Sequence, residues 1–165
     1  MNSKEKLNVP KRPGVYVLVI NINKDVNVKI GKLGSFTFPK GLYVYVGSAR
    51  GKHSTSLKWR ILRHIRPNKR LKWHIDYLLV EKPVELKDVV FAVTESNYEC
   101  DIVRELISTN CFKIQVRNFG SSDCRCPAHL LRYVAPGNKE ELVSIIKKVF
   151  VSLKLRPKVL PIPSS

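Results

Sequence analysis

Short runs of strand-like sequence, a shift to helical spacing after residue 54, and connections too brief for parallel crossovers place this chain among α+β domains. The expected architecture is a small, mainly antiparallel sheet of three or more strands flanked by helices. "GVYVLVINI" (14–22) is dense in β-branched residues, "NKD" supplies a turn, and "VNVKIG" (26–31) returns, so these two runs read as a hairpin. "SFTFPKG" stays extended to Gly41. "LYVYVG" (42–47) then alternates with period two, setting Tyr43 and Tyr45 on one face and Leu42, Val44 and Val46 on the other.

From Ser54 the period changes: Leu57, Ile61, Leu62 and Ile65 form a helical stripe that Pro67 ends. "LKWHIDYLLV" (71–80) repeats the pattern and Pro83 closes it. "DVVFAVTE" (88–95) reads as a strand buried on both faces, and 96–108 as a helix opened by Ser96. "FGSSDCRCPAHLLRYV" is loop-like with a short ordered end, and 138–153 is a C-terminal helix. The organisation is a basic arm (1–12), one domain (13–153) and an extended Pro-rich tail (154–165).

With 165 residues and 44% hydrophobic content the chain can bury one real core. Its formal charge of +17 exceeds what solubility requires and points to a polyanionic partner, nucleic acid (DNA or RNA) ahead of a membrane surface. Neither a spanning segment nor the apolar part of a secretory signal is present, so a soluble, cytoplasmic protein with no membrane role is expected. The cysteines Cys100, Cys111, Cys124 and Cys126 then read as thiols or metal ligands rather than a disulfide framework.

Between Val26 and Ile75 there is no acidic residue but there are twelve lysines and arginines. Arg50, Lys52, Lys58, Arg63, Arg66, Lys69, Arg70 and Lys72, with His74, are the expected phosphate contacts, and Trp59, Trp73, Tyr43 and Tyr45 interleave with them. A solvated basic face with core aromatics fits the same pattern. At about 100° per residue, Arg60 and His64 stack one turn apart on the rim of the apolar stripe, where a cation can be held by packing and still face a cleft. On the third helix Glu99 falls within the arc of Tyr98, Ile102, Val103 and Leu106. A carboxylate turned inward must be paired, hydrogen-bonded or bound to a cation. Ser96-Asn97-Tyr98-Glu99 equally fits a capping box, and the sequence leaves both readings open.

Gly14-Val15-Tyr16, Tyr45-Val46-Gly47, Arg60, His64 and Glu99, in that order, resemble the GIY-YIG nuclease superfamily. "GSSDCRC…H", "WHIDYLL" and "YEC" are similar to a branch of it found in archaea and some bacteria, over about residues 13–134. The resemblance implies a metal-dependent endonuclease acting on DNA, structure-directed in repair or recombination, with a possible repair-protein partner. The alternative is a non-catalytic DNA- or RNA-binding module on a degenerate scaffold. By resemblance, Glu99 would hold one Mg²⁺ or Mn²⁺ and Arg60 would stabilise the phosphorane. Tyr16, assisted by Tyr45, would act as base or orient the water, and His64 would bind phosphate or relay a proton. A tyrosine titrates near 10, so that role calls for the cationic belt to lower it. About thirty residues separate Tyr16 from Tyr45 where roughly ten are usual, which requires an inserted hairpin. The family's late asparagine has no clear counterpart in Asn110 or Asn118. Cys124, Cys126 and His129, with Cys100, Cys111 or His74, could complete a zinc site, but Cys-x-Cys departs from the usual spacing and zinc is not favoured.

Overall fold

A computed structural model describes residues 7–121 and 124–163. It contains β1 (Gly14–Ile22), β2 (Val26–Ile30), β3 (Gly34–Phe38), β4 (Gly41–Ala49), α1 (Leu57–Ile65), α2 (His74–Leu79), β5 (Val84–Val93), α3 (Glu99–Ser108), β6 (Phe112–Ile114), β7 (Leu130–Tyr133), α4 (Lys139–Ser152) and β8 (Lys158–Pro161). The expected α+β class holds: one six-stranded sheet in the order β6-β7-β4-β1-β5-β8, antiparallel throughout, plus a separate β2-β3 hairpin.

β1 lies inside the sheet, which explains its almost unbroken hydrophobic sequence. Val15, Val17 and Val19 join Val44, Val46 and Val90 beneath α3 and α4. Tyr16, Leu18 and Ile20 join Tyr43, Tyr45 and Phe91 beneath α1, α2 and the hairpin. A strand covered on both faces carries no polar alternation.

Two sequence expectations, the pairing of β1 and the start of α3, are corrected. β1 does not pair with β2, because β4 and β5 occupy both its edges; β2 folds back on β3 instead, through a turn in which Gly31 and Gly34 have φ of 48° and 127°. α3 begins at Glu99, not Ser96, and its cap residue is Tyr98. The proline-rich tail is extended but not free, since Lys158–Pro161 adds to the edge of β5. A proline is tolerated there because an edge strand has donors that pair with nothing. β6, three residues long, was too short to register as a pattern. Among the described residues no helix is long and apolar enough to cross a membrane.

Candidate active site

Antiparallel register sets Tyr16 opposite Gly47 and Leu18 opposite Tyr45, so the two tyrosines project from neighbouring strands on one face. The absence of a side chain at Gly47 is a steric requirement: a Cβ there would lie 2.6 Å from Cζ and Oη of Tyr16. Gly120, at φ 73°, is equally constrained, with an added Cβ 2.9 Å from Cε2 of Tyr45. Gly47 of the second tripeptide therefore makes room for the Tyr16 ring of the first.

Above these rings is a cavity of about 500 Å³ lined by Tyr16, Tyr45, Arg60, Glu99, Arg50, Lys72, Trp73, His74, Asn97, Cys124 and His129, among others. The phenol, guanidinium and carboxylate singled out from sequence thus share one cavity, although they come from β1, β4, α1 and α3. α3 packs on the opposite face of the sheet through Ile102, Val103 and Leu106. Only its first turn reaches the cavity. Glu99 does not form the capping box with Ser96: its backbone N–H donates to Asn97 Oδ1 at 3.3 Å, and its Oε2 lies 3.7 Å from His129 Nδ1.

Arg60 stacks on Trp73, 4.6 Å from the ring centroid, which holds a long side chain at the cavity rim. Arg63 stacks on the same ring at 4.5 Å but is committed elsewhere: Nη2 pairs with Asp76 Oδ2 at 2.5 Å and donates to the Arg70 carbonyl at 3.0 Å. Asp76, fully buried, also accepts the N–H groups of Lys72 and Trp73 at 3.0 and 2.8 Å. This shortens α2, which starts at His74 and not at Leu71 as its apolar spacing suggests.

His64 is buried behind Tyr16, its Nε2 2.8 Å from the Tyr16 hydroxyl. His64 is not among the residues that line the cavity, where phosphate binding would place it. Burial, reinforced by Lys69, Arg63 and Arg60, lowers its pKa to about 3, so it is neutral at physiological pH. The expected lowering of the tyrosines is also corrected. Burial raises Tyr16 well above 10, Tyr45, Glu99 and Asp76 push the same way, and Arg60 opposes them without prevailing. Tyr45 is raised for the same reasons, burial first. Desolvation of a fully buried phenol outweighs cations that remain partly in water.

The belt divides. Arg50, Lys52, Arg66, Arg70 and Lys72 are exposed. Lys58 is half-buried, and the Lys69 ammonium donates to the His64 carbonyl at 2.7 Å. His74 Nδ1 accepts the Gly120 N–H at 2.9 Å and so holds the loop beneath Tyr45, while burial lowers its pKa. Asn110 and Asn118 have φ of 63° and 67° and serve as turn residues.

Cys100, Cys124, Cys126 and His129 form a cluster that could bind a metal such as zinc. Cys100 and Cys126, expected as thiols or ligands, are joined as a disulfide, whereas Cys124 and Cys111 are free. Of the "GSSD" segment, Ser122 and Asp123 lie outside the described residues. Sequence reasoning missed Asp76, whose signal was its place as the first acid after the belt. It also missed the contact of His129 with Glu99, for which no local pattern exists.

No curated protein and no solved structure matches the chain. A family model covers residues 15–153, nearly all of the folded part just described, and the chain belongs to that family, the Domain of unknown function DUF123.

Proposed function

We propose that the protein is a divalent-metal-dependent endonuclease of GIY-YIG type that hydrolyses phosphodiesters in DNA. The observation that carries this reading is the shared cavity of Tyr16, Tyr45, Arg60 and Glu99, walled by exposed cations. A DNA backbone enters along Arg50 and Lys72, and Arg60, preorganised on Trp73, meets the extra negative charge of the phosphorane. Tyr16 orients the attacking water. Its hydroxyl donates to His64 Nε2, which is neutral and in contact, and so leaves its oxygen to accept a hydrogen bond from that water. That bond uses the tautomer with the proton on Nδ1, an atom without a hydrogen-bond partner among the described residues.

The Glu99 carboxylate fits a hard cation: its side chain is one-fifth exposed, it opens on the cavity, and its ion-pair partner is a histidine and not a fixed cation. Mg²⁺ or Mn²⁺ held there would act as a Lewis acid on the scissile phosphate.

Nicking of labelled branched and duplex DNA with Mg²⁺ or Mn²⁺ tests the reading. The parent protein is expected to cut, with Glu99→Ala, Tyr16→Phe and Arg60→Ala each slower by about 10²–10³-fold. Absence of cleavage by the parent on every substrate, or cleavage by the three variants as fast as the parent's, rejects it.

A further inference from the structure

We infer that in the reduced protein Cys100, Cys124, Cys126 and His129 hold one zinc ion, and that the histidine of this site positions Glu99. The four ligand atoms lie within 4.8 Å of one another. In a zinc tetrahedron with sulfur at about 2.3 Å, sulfurs are about 3.8 Å apart and a sulfur–nitrogen pair about 3.6 Å. Cys124 Sγ is 3.3 Å from His129 Nε2, so that pair is already near its place. Three thiolates and an imidazole are a soft set that suits zinc and not magnesium. The loop is braced from its own backbone: Asn118 N–H donates to the Pro127 carbonyl and His129 N–H to the Phe119 carbonyl, both at 2.8 Å. Val46 N–H donates to the His129 carbonyl at 3.0 Å, tying the loop to β4.

The two nitrogens of His129 face different groups, Nε2 toward Cys124 and Nδ1 toward Glu99 Oε2 at 3.7 Å. Zinc on Nε2 places the ring proton on Nδ1, where it points at the carboxylate, the arrangement of a metal-bound histidine oriented by an acid. Here the orientation runs the other way, from the metal to the acid. Cys100 follows Glu99 on the same turn of α3, so the ion fixes that turn directly through Cys100 and the carboxylate through His129. The positioning half of the inference rests on the nuclease reading; the zinc half does not.

The geometry that brings Cys100 and Cys126 into a disulfide makes zinc and oxidation compete for the same two sulfurs. A hydroperoxide accepts two electrons from the two thiolates and takes up two protons, giving an alcohol and water. The sulfurs join, and zinc, left with two ligands, departs.

Full-length protein purified under reductant is assayed for zinc by elemental analysis, and for Co²⁺ by the visible bands of tetrahedral cobalt thiolate. One zinc per chain and those bands are expected. Cys124→Ser loses at least tenfold in metal affinity, while Cys111→Ser and Glu99→Ala keep the metal. Hydroperoxide releases the zinc, with peptide mapping locating the new bond at Cys100–Cys126. Reduced parent protein with neither zinc nor the cobalt spectrum overturns the inference, as does metal kept by Cys124→Ser and lost by Glu99→Ala. Positioning is read as weaker Mn²⁺ binding by parent protein stripped of zinc, restored when zinc is returned; unchanged Mn²⁺ binding rejects it. None of these readouts requires DNA cleavage, so a failure of the nuclease reading leaves them separate.

Discussion

His64 ties the protonation of the candidate site to stability. Its pKa falls from 6.5 in the unfolded chain to about 3 in the fold, so its contribution is complete above pH 6.5 and is lost as pH falls toward 3. The unfolded chain binds the proton that the fold refuses, at a cost of about 1.4 kcal/mol per pH unit. His64→Gln keeps an acceptor for Tyr16 but does not titrate. Its urea midpoint should therefore fall less steeply than the parent's between pH 6.5 and 4, and parallel profiles would contradict the buried neutral ring. At Gly47 the constraint is steric: Gly47→Ala must displace the Tyr16 ring, at about 1–3 kcal/mol, with cleavage reduced as in Tyr16→Phe. An unchanged denaturation midpoint and full cleavage would show that the ring has room to spare. The order and spacing of Tyr16, Tyr45, Arg60 and Glu99 were legible in the sequence because residue type and helical phase are local. The protonation of Tyr16 was not, because burial is created by residues far away in the chain.

Between elements, α1 and α2 are locked by one buried carboxylate. Asp76 satisfies two backbone N–H groups at the start of α2 and Arg63 of α1, and Trp73 is set where Arg60 and Arg63 both stack on it. Asp76→Ala removes all three bonds and leaves Arg63 without its partner, so a loss of about 3–5 kcal/mol is expected. Arg63→Ala should cost less, because Asp76 retains its backbone donors. Urea midpoints of the two variants decide this, and the reverse order would show that Arg63 and not Asp76 organises the junction. The helices were readable from apolar periodicity, with boundaries off by a few residues where caps intervened, as at Tyr98 and Trp73. Strand pairing was not readable: the turn after β1 looked like a hairpin, yet periodicity says which face is buried and not which neighbour is bonded. For the same reason the tail's proline content foretold extended backbone without its partner strand β5.

At the scale of the whole molecule, the charge of +17 was visible in the composition, but the sequence could not tell which cations are free. The fold commits Arg63 to Asp76 and leaves Arg66 and Arg70 exposed on the same basic segment. If DNA follows that surface, each free arginine on its path neutralises a phosphate and releases a counterion, adding about 0.9 to the slope of log affinity against log salt. The double variant Arg66→Ala/Arg70→Ala should lower the slope by about 2 for duplexes of any sequence, since phosphate contacts carry no base information. Arg63→Ala should leave the slope unchanged even as it weakens the fold. Titrations of labelled duplex at several salt concentrations, run well below each variant's denaturation midpoint, separate the two. A slope that falls with Arg63→Ala, or stays level in the double variant, would mean that the backbone takes a different route across the molecule.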